Sequence, residues 1–339
     1  MGISSALIFI FIAGLINGSF ALPTKYVEKW QFENIWLQYA LWAFVILPWV
    51  TAFFLIPQIF SVYANSPPYI LWAMLIGGFI FGLGQMCFAL ALNIIGFGLG
   101  FVINLGLGIM LGFLLPLITQ HSEQIFKPFG IITLLGSLLA VVGLLFSNCA
   151  GDMHHKEQHE QRSPEKKPTK YTLGVFLAIL AGLSSAGQNF AFSLSAPMQD
   201  LAWQQGATQF GAANIIWPGF LVCSFIPYAF YMIFLSVRNK SFSNYALSGT
   251  SKYYLFAAIM GLCWYGSLVF YSKAAQTIGS LGPVVGWPLF MVLIILVANF
   301  WGWRSGEWAG SSYKVKKTLR FGLLCLVIAV MILGYSSNL

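Results

Sequence analysis

Eight amides fall inside or beside apolar stretches of this chain: Asn17, Gln85, Asn93, Asn104, Gln188, Asn189, Asn214 and Asn299. A carboxamide both donates and accepts hydrogen bonds, which suits the hydroxyls of a neutral polyol. Trp217, Trp264, Tyr265 and Trp287 occupy similar stretches, and an aromatic face covers the C–H side of a sugar ring. The plainer reading of any one amide is a hydrogen bond between helices, worth around 1 kcal/mol or less. Both readings stand at this point. A phosphorylated or anionic ligand would call for clustered Arg or Lys at the same depth, and an organic cation for a carboxylate. The sequence offers neither.

Ionisable groups inside apolar spans are costly and usually functional. All nine acids lie in loops or at span ends, and Lys273 is the one ionisable residue within a span. At the bilayer centre it would cost about 2.5–3.5 kcal/mol. It follows Tyr254 by 19 residues, about 28 Å along a helix at 1.5 Å per residue. Snorkelling to the interface is therefore the default expectation, with a gating or coupling role as the sharper one. His154, His155 and His159 stand in a polar stretch with Lys and Glu. Metal binding there competes with the plainer reading of a solvated linker, and His159-Glu160 is not followed by the second His of a zinc-protease helix. The glycine-rich run 96–112 has no strand before it, so it is no nucleotide loop. No G-x-S-x-G, H-E-x-x-H or P-loop occurs. The expectation is no enzyme, no cofactor and no metal.

The elements that must hold these residues are membrane helices. Hydrophobic residues make up 58% of the 339 and charged residues 8%, against roughly 25% charged in soluble domains. The five cysteines show no C-x-x-C spacing and read as packing residues, not as a disulfide framework. About 20 apolar residues cross a bilayer. That length predicts spans near 3–23, 35–56, 69–93, 95–118, 127–147, 172–195, 211–235, 254–276, 279–301 and 320–336. The first lacks the basic start and cleavage site of a signal peptide. Glycines at 96–100 mark a turn, and Gly78-x-x-x-Gly82 and Gly108-x-x-x-Gly112 allow close helix contact. The net charge of +8 alternates with hydrophobic spans and forms no nucleic-acid face. Fifteen of the 17 Lys and Arg fall on the side opposite the termini, leaving Lys127 and Lys273. The positive-inside rule then places the basic loops in the cytoplasm and both termini outside.

The polar stretch 148–171 divides the chain into halves, 1–147 and 172–339, that repeat weakly. Ala13-Gly14-Leu15 returns as Ala181-Gly182-Leu183, Leu47-Pro48-Trp49 as Ile226-Pro227-Tyr228, Ile95-Gly96 as Ile278-Gly279, and Ala140-Val141 as Ala329-Val330. Five helices per repeat is an odd number, so the second half must lie inverted. Inverted repeats are an architecture of secondary transporters, because two near-equivalent halves rock about a site between them.

Several stretches resemble the bacterial L-rhamnose–proton symporter family, a branch of the drug/metabolite transporter superfamily. They are Lys25-Tyr26-Val27-Glu28-Lys29-Trp30 with Trp36, Ile46-Leu47-Pro48-Trp49, Gly82-Leu83-Gly84, and Ser185-Ala186-Gly187 with Pro197-Met198. Gly261-Leu262-Cys263-Trp264-Tyr265 and Glu307-Trp308 complete the set. The resemblance implies an all-α membrane protein of ten helices in two inverted five-helix repeats, a central cavity, and sugar uptake coupled to protons. It implies a site between the halves, where Asn17, Gln85, Asn104, Asn189, Trp264, Tyr265 and Trp287 are expected to meet a small neutral sugar. A coupling or gating group is expected among Lys273, Glu28 and Glu307, with Asp200 also at a helix end; an exposed ion pair with Lys25 or Lys29 explains Glu28 equally well. Three departures from the family pattern stand out: Asn93 where a basic residue is expected, Phe290 at a histidine position, and Gly282-Pro283-Val284-Val285 where polar residues are expected. Export or facilitated passage of another small neutral solute, and a non-transporting sensor or scaffold, are the alternative readings.

Overall fold

The computed structural model describes residues 2–159 and 170–339. Ten helices are long and apolar enough to cross a membrane, and the described residues contain no strand. They are α1 (Ile3–Ser19), α2 (Phe32–Leu55), α3 (Pro68–Ile95), α4 (Phe97–Gln120), α5 (Pro128–His159), α6 (Tyr171–Leu194), α7 (Trp217–Arg238), α8 (Ser251–Ile278), α9 (Gly282–Arg304) and α10 (Tyr313–Ser336). Every expected span is present.

The ends differ where polar turns remain helical. α10 begins at Tyr313, not near 320, because the Ser312 hydroxyl caps it by accepting the Val315 amide at 3.3 Å. Its first turns carry Lys314, Lys316 and Lys317, which hydropathy had assigned to a loop. α5 continues through the expected start of the linker to His159; the rest of that linker up to Thr169, including Arg162, Lys166 and Lys167, lies outside the described residues. α7 begins at Trp217 because Pro218 stands in its first turn, and the preceding Gln209–Ala213 forms a separate short helix. Asn214 therefore sits in the turn before α7 and not within a span. Pro48 cannot donate to the turn before it, and α2 widens there into a π turn at Leu41–Ile46.

The helices pass in alternation between two ends. At the linker end, where α5 finishes and α6 begins, Lys25 pairs with Glu307 at 2.5 Å and Lys29 donates to the Ser248 carbonyl at 2.8 Å. At the terminal end, Tyr63 donates to the Ile215 carbonyl at 2.8 Å, and the Thr133 and Ser336 hydroxyls meet at 2.7 Å. A single residue, Gly96 (φ 81°), joins α3 to α4, and the three residues Gly279 (φ 101°), Ser280 and Leu281 join α8 to α9; both glycines take a left-handed conformation that side chains resist. α1 packs on α8 and α9, and α6 packs on α3 and α4; α2 meets α7 and α8, α7 meets α2 and α3, and α5 meets α10. Gly78 and Gly82 let α3 approach the α7 backbone at Phe220 and Ser224, where any side chain would collide. Gly112 leaves room for the Trp287 ring, and Gly108 lies in tight contact with the Ser185 side chain.

Candidate functional site

The interior contains a hydrogen-bonded cluster towards the terminal end and, apart from it, buried polar atoms that have no partner. The cluster starts from Pro116 inside α4. Proline has no N–H, so the Gly112 carbonyl one turn earlier loses its helical donor. Asn189 of α6 supplies it, with Nδ2 2.8 Å from the Gly112 oxygen and 2.9 Å from the Pro283 oxygen of α9. The Asn189 oxygen accepts from the Tyr271 hydroxyl of α8. One fully buried amide thus ties four helices. Trp287 adds a bond from Nε1 to the Gly108 carbonyl at 3.0 Å, and Trp217 one to Ser272 Oγ at 2.7 Å. Phe290 lies stacked on Tyr271 with centroids 5.2 Å apart. Both amide hydrogens of Asn189 and the indole N–H of Trp287 are committed to protein partners.

Around Trp264 the pattern reverses. The Trp264 ring lies 5.1 Å from Phe44, 6.4 Å from Tyr39 and 6.4 Å from Phe81, and Tyr228 packs on the other side of this group, 5.8 Å from Phe44. Tyr39 and Tyr228 are buried, yet neither hydroxyl hydrogen-bonds to a described residue, and neither does Trp264 Nε1. Gln85 follows Phe81 by one helical turn, which puts both on one side of α3; it too lacks a protein partner. Outside this aromatic group, the Asn104 oxygen on α4 and the Gln188 nitrogen on α6, next to Asn189 in the chain, are also buried with no hydrogen bond. Such orphaned atoms each cost about 1–3 kcal/mol unless something meets them.

The remaining expected contacts are local. Asn17 joins α1 to α8 by donating to Ser267 Oγ at 2.6 Å, which in turn donates to the Trp264 carbonyl at 2.6 Å. Tyr265 faces away from its neighbour Trp264 and meets Thr51 at 2.6 Å. Asn93 is exposed and bonds only the Ala89 carbonyl of its own helix, so it is no interior amide. Tyr39 and Tyr228 escaped the sequence reading because a tyrosine in an apolar run carries no mark of whether its hydroxyl is satisfied.

The ionisable groups also fall differently from expectation. Lys273 is 5% exposed, and its ammonium donates to Gln276 Oε1 at 3.0 Å and Gln209 Oε1 at 3.3 Å. Short helices at Ala196–Gln204 and Gln209–Ala213 cover the terminal end there. Gln276 continues the chain of amides to Gln199 at 3.4 Å. No carboxylate pairs with Lys273 among the described residues. Glu28 is exposed and forms no ion pair; Lys25 reaches across to Glu307 instead, and Lys29 to a carbonyl. The buried carboxylate among the described residues is Glu33, 2% exposed, whose Oε1 accepts from Ser241 at 2.6 Å and Asn239 at 3.0 Å. Beside it, Asn34 bonds Gln31, Ser241 and Asn244, closing α2 onto the α7–α8 connection at the linker end.

A further cavity of about 200 Å³ opens at the linker end between α4, α5 and α9, with Ser147, Asp152, His155, Asn299 and Trp308 on its walls. Among the described residues no three His, Cys, Asp or Glu gather closely enough to hold a metal.

Comparison with known proteins gives a consistent answer. The family model for the L-rhamnose-proton symport protein (RhaT) matches residues 2–338. An L-rhamnose-proton symporter of Mannheimia succiniciproducens is 27% identical over 334 residues, covering 96% of this chain and 95% of that one. Its counterpart in Yersinia pestis is 25% identical over 328 residues, covering 93% and 92%. A solved crystal structure superposes with a TM-score of 0.58 at 14% identity, over 97% of this chain and 96% of that chain, and so shares the fold.

Proposed function

The chain belongs to the L-rhamnose-proton symport protein family, and on that premise we propose that it takes up L-rhamnose with a proton by alternating access. Relatives matched nearly end to end are named as symporters, which accords with a carrier and not an enzyme. The observations that carry the reading are the Trp264 aromatic group with the free hydroxyls of Tyr39 and Tyr228, and the unpaired buried atoms of Asn104 and Gln188. A neutral sugar would satisfy the polar atoms and lay its C–H face on the indole. Gln85 and the side-chain oxygen of Asn17, whose nitrogen is held by Ser267, complete this site. Asn189, Trp287 and Tyr265, being committed to protein partners, act as positioning residues: the first two form a gate on the terminal side.

The carrier has two inverted halves, 1–147 and 172–339, joined by the polar segment 148–171, in the manner of the drug/metabolite transporter fold. The packing supports this, because α1 on α8 and α9 mirrors α6 on α3 and α4, and a positive-φ glycine, Gly96 or Gly279, follows the third helix of each half. The basic linker end faces the cytoplasm and both termini face outward. In this state the terminal side is closed through Asn189. Proton coupling runs through Lys273, whose charge is tied to the arrangement of Gln209 and Gln276 because no carboxylate offsets it. Phe290 filling the hydrogen-bonded cluster places the substrate away from α9's outer half.

The test is uptake of labelled L-rhamnose into proteoliposomes under an imposed pH gradient. Accumulation above the equilibrium level, abolished by collapsing the gradient, supports the proposal. No uptake of L-rhamnose in sealed, correctly inserted vesicles overturns it.

A further inference from the structure

Between α9 and α10 at the linker end lies a groove of about 780 Å³, separate from the Trp264 aromatic group. Its deep part is apolar, running along Leu296, Leu323 and Val327, and its mouth carries Lys316 and Arg320. Those two cations stand one turn apart on α10, and neither pairs with an acid among the described residues. Like charges at this spacing repel, so they gain from an anion placed between them. From Lys316 to Val327 is eleven residues, about 16 Å along the helix. Basic groups at the water interface above an apolar slot match an anionic headgroup with an attached acyl chain. Trp308 shares the wall, and its indole N–H is buried with no hydrogen-bond partner. Trp303, 66% exposed, stands beside the mouth as interfacial tryptophans do.

We propose that this groove binds an anionic phospholipid, with its phosphate on Lys316 and Arg320 and one acyl chain along Leu323 and Val327. The leaflet is the one rich in anionic lipid when the linker end is cytoplasmic. Asn299 and Trp308 line both this groove and the 200 Å³ cavity at the linker end. The lipid therefore buttresses one wall of the inner mouth.

The site is tested on purified full-length protein in uncharged detergent, by the thermal unfolding midpoint and by lipids retained in native mass spectrometry. Phosphatidylglycerol is expected to raise the midpoint by several degrees and to be retained. Phosphatidylcholine of the same chains and inorganic phosphate are expected to do neither. Lys316→Gln with Arg320→Gln should remove both effects, whereas Lys252→Gln with Lys317→Gln, an equal loss of charge elsewhere, should keep them. Val327→Trp, which fills the slot and leaves the charges, should also abolish retention. Retention unchanged in the Lys316/Arg320 pair, equal losses in both pairs, or a shift reproduced by inorganic phosphate would each overturn the proposal.

Discussion

The side-chain amide of Asn189 donates at 2.8 Å to the main-chain carbonyl of Gly112, the carbonyl that Pro116 leaves without a helical donor. A proline-broken helix in lipid must have its freed backbone group met by a neighbour, and here the neighbour belongs to the other half of the chain. The same amide reaches Pro283 and Tyr271. The gate proposed here is thus built on a defect in α4.

Replacing Asn189 by Leu should strip this carbonyl and the Tyr271 hydroxyl of their partners. Inter-helix bonds in membranes average below 1 kcal/mol, while buried unsatisfied groups cost more, so the loss is expected on the order of 2 kcal/mol. A clear drop in the unfolding midpoint of the purified protein is the expected result; an unchanged midpoint would show that Asn189 holds nothing.

Gln188 and Asn104 should behave in the opposite way. Each carries a buried atom with no partner, so Gln188→Met or Asn104→Leu relieves an unsatisfied group and should leave stability equal or higher. The same variants should lose the rise in midpoint that added L-rhamnose gives the wild type, because a ligand stabilises only what binds it. Unaltered ligand-induced stabilisation in both would place the sugar elsewhere.

Tyr39→Phe and Tyr228→Phe remove hydroxyls that bond no described residue. Each should leave expression and stability unchanged and raise the KM for sugar about fivefold, the equivalent of one hydrogen bond near 1 kcal/mol. Trp264→Ala should abolish uptake. Initial-rate uptake measurements across a range of sugar concentrations decide the matter, and wild-type KM values in both phenylalanine variants would exclude the hydroxyls from the site.

Lys273→Gln should eliminate accumulation driven by a pH gradient and spare exchange of internal for external sugar, whereas a purely structural lysine would affect both alike or neither. Lys273→Arg keeps the charge but has a larger, non-titrating head, so it should behave as Gln does in the gradient assay. Gradient-driven accumulation by Lys273→Gln at the wild-type level would remove Lys273 from coupling.

The ten spans were legible because a bilayer demands about 20 apolar residues for each crossing. Their ends were not, since Ser312 caps a helix whose first turns are basic and α5 runs on to His159 through polar residues. The turn at Gly96 was readable as glycine because only glycine tolerates its φ of 81°. The partners of polar side chains were hidden. Lys25 lies three residues from Glu28 in sequence yet pairs with Glu307, and Lys273 is covered by short helices that hydropathy does not register. Tyr39 and Tyr228 read as apolar residues, and Glu33 as a loop acid, because the residues that meet them across the fold lie 184 or more positions away.

Orientation is checked with reporter fusions at Asn338 and Lys316. The basic asymmetry places Asn338 outside and Lys316 in the cytoplasm; a cytoplasmic Asn338 would invert the assignment and make the gate at Asn189 the inner one.

The central claim, a single sugar site exposed to each side in turn, is tested most directly by counterflow. Proteoliposomes preloaded with unlabelled L-rhamnose and diluted into a trace of labelled sugar, with no ion gradient, should show a transient overshoot of label. Trp264→Ala vesicles should show none. Label that rises monotonically to equilibrium in wild-type vesicles, or an overshoot that survives Trp264→Ala unchanged, would contradict the account.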